Sequence, residues 1–294
     1  MEKVKVVGLM TLLSLMLVGI GGYVGGSGGA MLFFIISLVM NVGMYWFSDR
    51  IVLKQYRAHI VRPGEEGGRF DSLYAMVDRL RQNAGMPMPV VAISGNPQPN
   101  AFATGRNPQH AVVCVTRGMW DLVARGYMTV DELEAVIAHE LGHIRHYHML
   151  VGTIAASAAG AVMMIANMLK WGALFGFGGG RDGENNNPLA LIGLAVLAPV
   201  AAMMVQMMIS RRNEFEADAE AARISGKPMA LASALKKIDS IAQRHPMEVS
   251  AAAAHLAIIN PLSGGGMMKL FSTHPPTAER VAKLQQIAGE TGVA

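Results

Sequence analysis

TVDELEAVIAHELGHIRHYH, residues Thr129 to His148, governs how the rest of the chain is read. Thr129 and Glu132 have capping-box spacing and no Gly or Pro intervenes before Gly142, which predicts a helix of about four or five turns. At about 100° per residue, His139 and His143 lie only about 40° apart and share one face. Two imidazoles so placed can take two of the four tetrahedral positions around a zinc ion. Glu140, next to the first of them, can reach a water there without binding the metal. This is the H-E-x-x-H arrangement, whose chemistry is hydrolysis. Zinc acidifies the water, the glutamate takes its proton and hands it to the leaving amine, and the hydroxide attacks a peptide carbonyl.

The same stretch ends one residue before an apolar run. Of the 294 residues, 52% are hydrophobic and 16% charged, where soluble domains carry about 25% charge. No Asp, Glu, Lys or Arg occurs from Val6 to Ser48, a run of 43 residues, nor from Met149 to Leu169 or Asn185 to Ser210. A spanning helix needs about 20 apolar residues, so four spans are expected, over about residues 4–24, 30–47, 149–169 and 189–209. The first two turn at GGYVGGSGG (Gly21 to Gly29). MEKVK before an apolar stretch also suits a signal peptide, but a second apolar segment follows at once with no A-x-A site between them.

Of 25 Lys and Arg residues, only Lys170 and Arg181 fall in or beside the two outer loops. Both termini and the segment between the second and third spans are therefore expected in the cytoplasm. The net charge of +4 reads as an orientation signal with some attraction to anionic lipid, and no nucleic-acid partner is expected. The single cysteine, Cys114, cannot form an intrachain disulfide and is compatible with a reducing cytosol. A transporter is disfavoured, because the spans carry no acid or base pair to form an ion path. The 23 methionines gather mostly in the spans and read as packing.

A hydrolytic zinc site wants three protein ligands and one open position. His146 would crowd the metal from the same helix, so His146 and His148 read as polar residues of the interfacial layer. If the third and fourth spans form an antiparallel hairpin, Glu214, 71 residues beyond His143, returns to the foot of the HELGH helix. Glu214 and Asp218 share a face, whereas Glu216 points about 200° away. Glu214 is then the third ligand, and Asp218 the carboxylate holding a ligating imidazole by its other nitrogen.

The division expected is a membrane hairpin (1–47), a first catalytic piece (48–148), a second hairpin (149–210) and a second catalytic piece (211–294). In the first piece, residues 69–85 read as a helix with Leu73, Met76, Val77 and Leu80 on one face and Asp71 as a cap. PVVAIS (89–94), NAFATG (100–105) and HAVVCVT (110–116) read as a small three-stranded sheet. In the second piece, helices are expected over 211–225, near 229–243 and 249–259, and over 272–288 with Thr277 as a cap. His59, His110, His245 and His255 have no partner at ligand spacing and read as structural.

The chain resembles the HtpX membrane zinc endopeptidases, relatives of the CAAX prenyl protease. The resemblance runs from the first hairpin through PNAFATGRNP (99–108), HELGH (139–143), EFEAD (214–218) and FSTHPPTAER (271–280). It implies an α+β, mainly helical zinc-peptidase (gluzincin-like) domain with a small sheet, in a bacterial inner membrane. His139, His143 and Glu214 then bind one Zn2+ per chain, Glu140 is the catalytic base and Asp218 supports the site. The stretch Asn100, Ala101, Phe102, Ala103 and Thr104 is implied as the sheet edge that aligns an extended substrate. From the residues alone, His274 reads as a capping or core residue, and for Arg280 a surface salt bridge is an alternative of equal weight. The resemblance makes His274 a stabiliser of the tetrahedral oxyanion and Arg280 a brace for the site.

The implied substrates are misfolded membrane proteins, in quality control and stress response. A narrow CAAX-type processing enzyme is the alternative with the same chemistry. A membrane chaperone or scaffold with structural zinc is the alternative of another class, against which Glu140 stands. A homo-oligomer is allowed, and a site at the bilayer surface could cut a neighbouring copy's loops.

Overall fold

The computed structural model describes residues 2–152, 210–244 and 274–292. Helix α1 (Glu2–Gln55) is broken at Gly25 and Gly26, where Gly26 takes φ 59°, ψ −146°, a backbone that favours glycine. The side-chain amide of Asn41 donates to the carbonyl of Met10 (3.3 Å) and to Ser14 Oγ (3.0 Å). A Cβ on Gly21 or Gly29 would collide with the other's backbone. The two arms therefore run antiparallel and nearly touch at the turn, as small residues permit.

Gly25–Phe47, 23 residues of mean hydropathy 1.9, is long and apolar enough to cross a membrane; Met10–Gly22 is a shorter apolar arm. Of the four spans expected, this is the one helix among the described residues that is long and apolar enough to cross. The spans at 149–169 and 189–209 lie outside them, save residues 149–152. So do His245, His255 and the helix at 249–259.

The sheet has four strands where the sequence pattern predicts three. Its order is β1 (Ala58–Ile60), β2 (Val90–Ser94), β4 (His110–Thr116), β3 (Ala101–Asn107), with β2 and β4 parallel and the other pairs antiparallel. The extra strand has only three residues, too few to carry an alternation, and it is pinned from outside by Val61 N–H to Val91 O (2.9 Å) and Ser94 Oγ to Tyr56 O (2.6 Å). Alternate side chains go to opposite faces. Ala101, Ala103, Val113 and Val115 join the main core, while Phe102, Val112 and Cys114 pack with Tyr56, Val52 and Leu53 from the end of α1. β3 is an edge strand.

α4 (Val130–Arg145) runs through the main core, buried almost without interruption from Glu132 to Gly142. The predicted capping box is present: Thr129 Oγ1 accepts from Glu132 N–H (3.1 Å), and Glu132 Oε2 accepts from Thr129 N–H (2.7 Å). α4 ends at Arg145 and does not continue to His148. Tyr147 takes φ 57°, and a new helical stretch, α5, begins at residue 148.

Around α4 stand α2 (Asp71–Ala84), α6 (residues 210–225), α7 (Pro228–Arg244) and α8 (Thr277–Thr291); α3 (Arg117–Ala124) follows the sheet. α2 buries Leu73, Met76, Val77 and Leu80, the predicted face. Two predicted caps fall elsewhere. Phe70 occupies the position before α2, and Asp71, the first helical residue, accepts from Gly64 N–H (2.9 Å). Pro276 occupies the corresponding position before α8, so Thr277 is already helical. A proline there needs no side-chain cap to set the entry angle, because its ring fixes φ.

Candidate active site

Three helices and one strand edge deliver the site. α4 supplies His139, Glu140 and His143 from consecutive turns, as their spacing requires. α6 crosses α4 where Gly142 faces Ala217. A Cβ on Gly142 would lie 3.1 Å from Ala217 O and 3.2 Å from Glu220 Cβ, so only glycine lets the helices approach this closely without a shift. That approach sets Glu214 beside both imidazoles. The start of α8 adds Arg280, with His274 just before it.

Nε2 of His139 and Nε2 of His143 are 3.1 Å apart. Glu214 Oε2 lies 3.5 Å from the first and Oε1 3.5 Å from the second. Zinc bonds of 2.0–2.1 Å in a tetrahedron put neighbouring ligand atoms about 3.3 Å apart. Two ring nitrogens and a carboxylate already spaced at that edge length fit a single metal ion, and these three residues form a group able to hold one.

Each ligand candidate is held from behind. His139 Nδ1 donates to Asp218 Oδ1 at 3.0 Å, which turns Nε2 to the cluster. Asp218 is gripped at both oxygens by Arg280, Nη2 at 2.6 Å and Nε at 2.8 Å. Arg280 Nη1 also reaches Glu214 Oε2 at 3.0 Å, and His274 Nδ1 lies 3.3 Å from Glu214 Oε1. Arg280 is 1% exposed, which sets aside the alternative of a surface salt bridge. Its partners sit 62 and 66 positions earlier, outside the reach of local patterns.

Burial works to raise the Glu214 and Asp218 carboxyls, but the surrounding cations outweigh it and hold both below the usual range, Glu214 well below. Burial works to lower His139, yet Asp218 and Glu214 push it up to about 9. The cluster thus attracts positive charge, which a divalent cation would supply. Glu140 differs: burial pushes it up to about 7, opposed by His139 and by a hydrogen bond from Ala103 N–H. A carboxyl near neutrality is suited to exchanging protons at working pH.

That hydrogen bond ties the site to the sheet edge. Asn100 pairs with β4, since its carbonyl accepts from Thr116 N–H (2.9 Å) and its own N–H donates to Thr116 Oγ1 (2.8 Å). By alternation, Phe102 and Thr104 also pair with β4, and the backbones of Ala101 and Ala103 point away from β4, where both residues are buried and the Ala103 N–H is bonded to Glu140. The Phe102 ring packs against Tyr56, centroids 4.3 Å apart and planes tilted by 42°, on the far face of the sheet.

His148 departs from the interfacial reading, whereas His146 stays half-exposed. His148 is buried, its Nδ1 3.2 Å from His143 Nδ1 and its Nε2 3.2 Å from Glu216 Oε2. Nothing in the spacing signals this, because residues five apart on a helix do not meet.

Residues 68–288 match Peptidase family M48. The chain is 47% identical over 288 residues to "Protease HtpX homolog" of Syntrophotalea carbinolica, covering 98% of this chain and 99% of that one. The chain belongs to the HtpX proteases of peptidase family M48. It is also 49% identical over 291 residues to the protein of that name in Pelotomaculum thermopropionicum, covering 98% of this chain and all (100%) of the relative. The crystal structure of S. mikatae Ste24p aligns with a TM-score of 0.50 at 20% identity, covering 94% of this chain and 62% of that one, a likeness of fold. As an M48 metallopeptidase the chain is a metal-dependent protease acting on protein substrates, which sets aside the scaffold with a structural ion.

Proposed function

We propose that this HtpX-type metalloprotease is a zinc endopeptidase embedded in the bacterial inner membrane, with its site on the cytoplasmic side, cutting misfolded or damaged membrane proteins. The observation that carries the reading is the convergence of His139, His143 and Glu214 at tetrahedral edge lengths, with Glu140 beside them. These three residues would hold the zinc ion, which when bound acts as a Lewis acid toward water and the peptide carbonyl. Glu140 accepts the proton of the attacking water and returns it to the leaving nitrogen. Asp218 keeps His139 in the tautomer that offers Nε2, and Arg280 keeps Asp218 ionised.

The backbones of Ala101 and Ala103, directed away from β4 and next to Glu140, support an extended substrate laid along β3 as one more strand, which would take the Ala103 N–H from Glu140. Main-chain pairing of that kind reads extended backbone and few side chains, which suits unfolded substrates. The nearness of His274 to Glu214, 3.3 Å, supports a role as donor to the oxyanion. The apolar Gly25–Phe47 helix and the Lys/Arg distribution support a multi-pass topology with cytoplasmic termini, and the division at 47, 148 and 210 follows from it.

The test compares wild type with Glu140→Gln in detergent. Zinc content is expected to be equal in the two, while cleavage of an unfolded membrane protein falls about 10²–10⁴-fold in the variant. Equal cleavage would remove Glu140 from the mechanism.

A further inference from the structure

His143 turns Nε2 toward His139 and Glu214, at 3.1 and 3.5 Å, and its other nitrogen, Nδ1, lies 3.2 Å from Nδ1 of His148. On an unbroken helix, a residue five positions on is rotated about 140° away. His148 comes back to His143 because α4 stops at Arg145 and Tyr147 takes a left-handed backbone, φ 57°. A bulky residue rarely adopts that conformation, and where it does, its surroundings hold it there. His148 is 3% exposed, so both of its ring nitrogens need partners. The second, Nε2, lies 3.2 Å from Glu216 Oε2, and Glu216 is fixed in turn by Arg212 Nε at 2.8 Å.

With both rings neutral and Nε2 of His143 facing the cluster, one placement of hydrogens satisfies every contact. His143 Nδ1–H donates to His148 Nδ1, and His148 Nε2–H donates to Glu216. We infer that His148 and Glu216 are positioning residues for the metal centre, holding His143 in the tautomer and orientation that presents Nε2. The inference rests on His139, His143 and Glu214 being the metal ligands. The two imidazoles are then backed in parallel, His139 by a carboxylate directly and His143 by a carboxylate through a second imidazole.

His146, His148 and Glu216 also lie close enough to hold a second cation. The contacts favour the hydrogen-bonded chain. Arg212 already neutralises Glu216, and His146 leans toward Glu220, 3.8 Å away. A cation on His148 Nε2 would force its hydrogen onto Nδ1, against the Nδ1–H of His143.

The experiment uses the full-length chain in detergent with Co2+ as probe, reading stoichiometry, dissociation constant by competition, and visible spectrum. In His148→Asn the side-chain Oδ1 takes the place of the imidazole Nδ1 and can still accept from His143; in His148→Leu nothing can. Wild type is expected to bind one Co2+. His148→Leu should bind it about 10–100-fold more weakly with an altered spectrum, and His148→Asn should recover most of that loss. Equal weakening in both variants would reduce His148 to packing and overturn the inference, as would no weakening in either. Two Co2+ per wild-type chain, one of them lost in His148→Leu while the other keeps its affinity, would overturn it in favour of a second metal site. Unchanged Co2+ binding in Glu214→Ala would remove the centre itself. Binding that depends on Glu214 but does not distinguish His148→Leu from His148→Asn overturns this inference alone.

Discussion

Arg280 donates to both oxygens of Asp218 and reaches Glu214 from a position closed to water. One guanidinium thus holds two buried carboxylates ionised, and its fork geometry matches the bidentate contact. Arg280→Gln would strand them, at a cost of about 3–5 kcal/mol in unfolding free energy. Arg280→Lys should recover only part, because an ammonium cannot reproduce the fork. Arg79, 57% exposed at 2.9 Å from Glu134, is the control; its loss should cost about 0–1 kcal/mol. Denaturant titration of the three variants checks this, and a loss in Arg280→Gln no larger than in Arg79→Gln would argue against a bracing role. At this scale the sequence points to His139 and His143 by periodicity and to Glu140 by its place between them in H-E-x-x-H. It is silent on the burial of Arg280 and on His148, whose partners are set by chain folding.

At the scale of elements, α4 is anchored at both ends of its buried stretch. Near its start, Glu132 accepts from its own cap, from Ser233 Oγ at 2.6 Å and from Lys237 Nζ at 2.9 Å, joining α4 to α7. Burial works to raise the Glu132 carboxyl, and Lys237, Ser233 and the cap together hold it below its ordinary value. A depressed folded pKa contributes stability that is present above the unfolded value and lost as pH falls through the folded one. Stability should therefore fall between neutral pH and about pH 3 more steeply in wild type than in Glu132→Gln. Parallel acid limbs in the two proteins would show that Glu132 carries none of it.

At the other end, Gly142 sets the crossing with α6. Gly142→Ala should favour the helix by about 1 kcal/mol from propensity yet push Glu214 away by a few tenths of an ångström. Metal affinity is expected to drop with helix content unchanged, and circular dichroism paired with metal competition separates the two effects. An unchanged affinity would mean that the crossing tolerates the methyl. The helix face of α2, the capping box and the strand runs were legible because each is written within a few residues. The three-residue strand β1 and the early end of α4 were not, since both depend on contacts from elsewhere in the chain.

For the whole molecule, the cluster of Glu214, Asp218 and Glu140 around a single Arg280 links metal binding to stability. A cation that binds the folded state and not the unfolded one raises the unfolding free energy by mass action, about 2.7 kcal/mol at a hundred times its dissociation constant. Chelation is expected to lower the melting temperature, and zinc to restore it, in wild type and Glu140→Gln but not in Glu214→Ala. A chelator response that survives in Glu214→Ala would place the bound ion elsewhere. The α1 hairpin bears on the whole as well: its arms meet through Asn41 and the paired glycines, and its end packs Val52 and Leu53 under the sheet that carries β3. The apolar helix is thereby joined directly to the element that borders the site.

By itself, the sequence determined what is local. The HELGH face follows from a 3.6-residue period, the start of α4 from Thr129 and Glu132, and the first hairpin from apolar runs broken by glycine. Tertiary structure decided the rest. It brought Glu214 to the imidazoles across 71 residues, buried Arg280 between two carboxylates, and turned His148 back onto His143 through the strained backbone of Tyr147. The physical reason is range. Dihedral preferences and side-chain periodicity act over a turn or two of helix, whereas a buried charge becomes tolerable only when distant segments bring its partners to it.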